Sequence, residues 1–152
     1  MLLLSDKEFY QKEIPTTSYD NYISGWEALN TIAPNGTTAD WHALEYWGAI
    51  KQKENIKLYN NYFLGNAGIA CRKINWSSDK VYIANFARAV ADLVYYSDNL
   101  DELKFIFSDM LNEDEESEAF EYMKIISKHK DIDEFLKREL PKKYYMWKYG
   151  DK

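Results

Sequence analysis

Hydrophobic positions along this chain change period several times, and each change predicts an element. The clearest change lies between Val81 and Tyr96. Val81 to Ala84 form a short apolar run that predicts an extended segment. From Phe86 onward the large apolar residues are Phe86, Val90, Leu93 and Val94, a helical spacing. Asn85 stands at the switch, where its side chain can accept from a free N–H of the first turn. Ala84, Ala87, Ala89 and Ala91 let neighbours approach closely, so this helix is expected at the centre of the core. Arg88 and Asp92 fall on the face away from Val90, where exposure is expected.

Upstream the signals are mixed. Ser5 with Glu8 is a capping-box pattern for a short helix to about Gln11, ended before Pro15. Tyr19, Tyr22, Ile23, Trp26, Leu29 and Ala33 then form one stripe, which predicts a helix capped by Ser18 and closed by the Pro34-Asn35-Gly36 turn. Gly25 falls inside that stripe at a cost of roughly 1 kcal/mol relative to Ala. Thr38 to Trp47 fits either a capped helix or an irregular aromatic loop. Between about Ile56 and Ala84, brief alternation, the bend Leu64 to Ile69 and the turn Ser77 to Lys80 leave room for two or three strands.

The C-terminal half is more regular. Leu100 to Leu111 predicts an amphipathic helix, Phe120 to Ile126 a second, and Ile132 to Leu140 a third, stopped at Pro141. With the central helix these predict a mainly α, single-domain helical bundle over 1–152, with a possible small β element between about 56 and 84. Within it, 1–80 is aromatic and less regular, 85–140 is helical, and 141–152 is a basic aromatic tail. No internal repeat is evident.

Composition sharpens this picture in two places. A chain of 152 residues can bury a sizeable core without cross-links. Its 13 Tyr, 7 Phe and 5 Trp supply large apolar area with polar handles, as at protein interfaces; an amino-acid bias toward Lys, Asn, Ile and Tyr would give the same excess. The net charge of −6 argues against general nucleic-acid binding. Charge is also divided along the chain. Asp98 to Glu121 holds ten carboxylates and one base, whereas Tyr122 to Lys152 holds nine Lys or Arg against five acids. Such a division can steer a charged partner, promote self-association into a homo-oligomer, or merely solvate a helix face. The single cysteine, Cys71, points to a reducing, cytoplasmic compartment, and Met1 to Leu4 are too short an apolar run for a signal peptide or a membrane span.

Chemistry finds little purchase. His42, His129 and Cys71 have no metal-ligand spacing, and Gly65 to Gly68 lacks the Lys and Ser/Thr of a phosphate loop, so no metal, nucleotide or other cofactor is expected. Asp40, His42 and Glu45 form the one trio that could do acid–base work in a small hydrolase or nuclease. No catalytic residue is assigned. Arg88 and Asp92, four apart, can pair, but an exposed pair in this order contributes about 0.3 kcal/mol or less.

The lead-in and helix Arg88-Ala89-Val90-Ala91-Asp92-Leu93-Val94-Tyr95 resemble a segment of the C-terminal domain of AbiEi-type antitoxins, in which a strand leads into a helix with an Arg-Ala-Leu-Leu-Asp-like core. The resemblance covers residues 81–96. It implies a bacterial or phage-defence protein that binds and restrains a toxin or another protein. The chain departs from that family in lacking a basic winged-helix start, so direct nucleic-acid binding is not implied. The expected function is therefore a small, acidic, cytoplasmic, antitoxin-like binding module rather than an enzyme, with Arg88, Asp92, Glu113, Asp114, Glu115, Glu116 and Trp41 as partner contacts. The alternatives are an acidic phage inhibitor that occupies a nucleic-acid-binding surface, and the hydrolase.

Overall fold

The computed structural model describes residues 14–39, 56–61, 63–75, 77 and 79–150. The expected helix at Ser5, the Thr38 to Trp47 segment from Asp40 onward, Trp41, and the Asp40/His42/Glu45 trio lie outside them. Helices dominate, with a two-stranded antiparallel sheet at 69–84. The elements are α1 (Gly25–Leu29), β1 (Ile69–Arg72), β2 (Val81–Ala84), α2 (Phe86–Tyr96), a 3₁₀ turn (Leu100–Leu103), α3 (Ile106–Met110), α4 (Glu113–Ile126), α5 (Asp133–Glu139) and α6 (Pro141–Tyr149). Among the described residues no helix is long and apolar enough to cross a membrane.

Helix α2 is the hub. Asn85 caps it as its position predicts, its side chain accepting from Arg88 N at 2.8 Å. Phe86, Val90, Leu93 and Val94 are all buried, against α1 on one side and α4 on another. Burial extends right round the helix, from Phe86 to Val94. A helix enclosed on every side has no solvent face, and that removes the exposure expected for Arg88 and Asp92. The small alanines make the enclosure possible, because they let neighbouring backbones come close.

The strands extend this core. In the β1–β2 hairpin Ile69 pairs with Ala84 and Arg72 with Val81. On its other edge β2 takes up Ile23 in parallel, with Ile23 N donating to Tyr82 O at 3.0 Å and Ala84 N donating to Ile23 O at 2.8 Å. Tyr22 in turn exchanges backbone hydrogen bonds with Tyr59. Tyr22 and Ile23 are thus extended, and the helix expected from Ser18 to Ala33 shrinks to α1. Gly25 is the reason. Its φ of +61° is left-handed, and a Cβ there would collide with the Tyr59 hydroxyl. The apolar stripe reflects burial on both sides of this break rather than one helix.

Three C-terminal expectations need adjustment. The helix from Leu100 to Leu111 is divided at Phe105, which has φ 65° and donates its N–H to Glu139 Oε1 at 2.6 Å. The second helix begins earlier than its apolar residues, at Glu113, because Asn112 and Glu115 form a capping box. Pro141 ends α5 but also occupies the first position of α6, so the basic aromatic tail is itself helical as far as Tyr149.

Candidate functional site

Arg88 and Asp92 meet one turn apart inside α2, with Nε donating to Oδ1 at 3.2 Å. They are 1% and 3% exposed. Two distant segments complete their shell. Ser24 Oγ and Tyr22 OH donate to Asp92 Oδ2 at 2.7 and 2.8 Å, and Arg88 Nη2 donates to the Tyr22 oxygen at 2.8 Å. Arg88 Nη1 donates to the carbonyls of Gly65, at 2.9 Å, and Ala67. The bend Leu64 to Ile69 is therefore wrapped around a guanidinium. Left-handed Gly65 and Gly68 shape it, and a Cβ on Gly68 would lie 2.7 Å from Arg88 Cβ.

Every neighbour of the Asp92 carboxyl donates to it. Burial, the largest influence, raises its pKa, while the Arg88 charge and the hydrogen bonds from Ser24, Tyr22 and Arg88 oppose that rise. Burial likewise raises the Tyr22 phenol, reinforced by Asp92. A cavity of about 10 Å³ lies beside the pair, room for one water at most. A substrate has no access here, and neither side chain reaches the surface to meet a partner. The assignment of Arg88 and Asp92 as partner contacts is corrected on these grounds: they join α2 to residues 22–24 and 65–67.

The surface features lie on α4. Its capping box, with Asn112 N donating to Glu115 Oε1 at 2.9 Å and Glu115 N to Asn112 Oδ1 at 2.8 Å, fixes the acidic first turn. Carboxylates there also suit the positive end of the helix dipole. The turn separates two grooves. Glu113, Asp114 and Glu116 face one of about 450 Å³, whose far wall carries Lys142 and Lys143 from α6. Glu116 approaches Lys143 at 3.7 Å, while Glu113 and Asp114 are exposed and form no ion pair among the described residues. Glu115 and Glu118 face the other groove, of about 370 Å³, against Arg72 and the apolar surface of the hairpin. The four carboxylates expected to act together are thus divided between two surfaces.

No family model, curated protein or solved structure matches the chain. Among the described residues no group of three His, Cys, Asp or Glu is placed to hold a metal ion. The Glu115/Glu118 groove escaped the sequence reading, as did the roles of Tyr22, Ser24 and the 65–67 carbonyls. Paired Gly65 and Gly68 were the available signal, since two left-handed positions three apart turn carbonyls toward one point.

Proposed function

We propose that this protein is a small cytoplasmic binding module that docks a basic partner protein and restrains it, as an antitoxin restrains its toxin. The observation that supports this reading is the acidic first turn of α4, its backbone set by the capping box, in which Glu113 and Asp114 are exposed and in no ion pair among the described residues, although Lys142 and Lys143 line the far wall of their groove. Charges near a rim act mainly on the rate of encounter. They attract a positive surface from a distance of about a Debye length, and salt weakens them.

Association with the partner recovered from the native host tests the reading. Reversing Glu113 and Asp114 to Lys should slow association about tenfold and flatten its salt dependence. Reversing Glu102 and Asp109, exposed carboxylates elsewhere, shifts net charge equally and should slow it much less. Equal rates for the two variants would assign the acidic turn to solubility and overturn the proposal. Competition by DNA or RNA for the same partner would identify that partner's surface as one that binds nucleic acid, and the module as an inhibitor of it.

A further inference from the structure

The second groove has a floor and two charged walls. Ala33, Pro34 and Ala70, with the edge of Ile69, supply apolar surface over buried Ile83 and Phe86, Glu115 and Glu118 line the α4 side, and Arg72 lies opposite. Glu118 Oε2 accepts from Asn85 Nδ2 at 2.9 Å and from the Tyr122 hydroxyl, which leaves Oε1 without a partner among the described residues. Glu115 spends Oε1 on the capping box and leaves Oε2 likewise. No ion pair joins either carboxylate to Arg72. Arg72 is turned aside, its Nη1 donating to the carbonyls of Ile32 at 3.2 Å and Lys73 at 3.3 Å. Two carboxylates against one guanidinium leave the groove negative by one charge. Hydrogen bonds from Asn85 and Tyr122 hold Glu118, and the capping box holds Glu115, so the negative wall is preformed.

We propose that this groove is the docking site for one arginine or lysine side chain of the basic partner. The aliphatic stem lies on Ala33, Pro34, Ile69 and Ala70, and the cationic head reaches Glu118 Oε1 and Glu115 Oε2. This is the amphipathic division that long basic side chains carry, and a guanidinium fits two adjacent carboxylate oxygens better than an ammonium does. The inference rests on the binding-module reading and names the anchor within it: the outer turn steers the partner, and the groove holds it.

The probe is Nα-acetyl-arginine amide, titrated into the whole isotope-labelled protein and followed by amide chemical shifts, with Nα-acetyl-citrulline amide as its uncharged counterpart. Saturable shifts are expected for Gly68 to Arg72, Asn85, Phe86 and Glu115 to Glu118 with the arginine probe. The citrulline probe should bind about tenfold more weakly or not at all. Glu115→Gln with Glu118→Gln removes both charges and turns the second oxygen of each into an amide donor, while the remaining oxygen can keep the internal hydrogen bonds and the capping box, where Gln serves as well as Glu; it should also weaken the arginine probe about tenfold. Ala70→Trp, which fills the groove and spares both carboxylates, should abolish the shifts. Equal binding of the two probes, shifts unchanged in either variant, shifts scattered over the surface, or none that saturate would each overturn the inference. Shifts that depend on protein concentration without probe would give the groove to a second copy and overturn it too. The titration needs no partner, so its failure and a failure of the association experiment are separate results.

Discussion

A guanidinium taken out of water is tolerated only where its N–H groups and its charge both find partners, and Arg88 finds them in Asp92, Tyr22, Gly65 and Ala67. The same enclosure acts on phenols. Burial pushes Tyr22 and Tyr122 well above the ordinary tyrosine range and moves Tyr59 from 10.0 to about 12. In the unfolded chain these groups ionise near pH 10, so above that pH the folded protein binds more protons than the unfolded one. Their contribution to stability is full below pH 10 and lost as pH rises toward about 12 for Tyr59. An absorbance titration of the phenols alongside circular dichroism should therefore show a late fraction that ionises in step with unfolding. Ionisation of every tyrosine near pH 10 with the fold intact would contradict the burial of these three. At this scale the sequence was legible where the interaction was local. The Asn85 cap spans three residues and could be read, whereas the Arg88 shell draws on carbonyls 21 and 23 residues upstream and could not.

Helix ends decide the elements here, and several are made by side chains from elsewhere in the chain. Lys130, beyond α4, donates to the carbonyls of Val94, Tyr95 and Ser97 at 2.8, 2.9 and 2.6 Å, and so satisfies the last turn of α2. A cation at that end also complements the helix dipole. Burial lowers its pKa, but all three of its donors are occupied. Lys130→Met keeps the stem and removes these bonds, and should cost about 1–3 kcal/mol in chemical denaturation. Amide exchange in the last turn of α2 should rise with it. An unchanged midpoint and unchanged exchange would show that solvent caps this helix. Periodicity located α2, α4 and α5, because each buries a stripe against a neighbour. It missed the break at Phe105, where a long-range bond to Glu139 holds the left-handed turn, and it ran one helix through Gly25, whose backbone forbids it.

On the scale of the whole molecule, the fold separates two tasks that the charge pattern of the sequence had merged. Opposite charges at Arg88 and Asp92 sit in the interior, where they bind 22–24 and 65–67 to the central helix. The carboxylates of α4 remain outside and are shared between two grooves. Fold class was legible from periodicity, as was the small sheet near β2. The candidate site was legible only in its acidic residues, since spacing along one helix says nothing about which loops close over it. The claim on which this division depends is that the Arg88–Asp92 pair is structural, and a double-mutant cycle in equilibrium unfolding tests it most directly. Arg88→Ala and Asp92→Ala should each cost about 3–5 kcal/mol, because each leaves an uncompensated buried charge, and the double variant should cost less than their sum by about 2 kcal/mol or more. Single variants that lose under about 1 kcal/mol with no coupling would instead place the pair on an exposed face and return it to partner recognition.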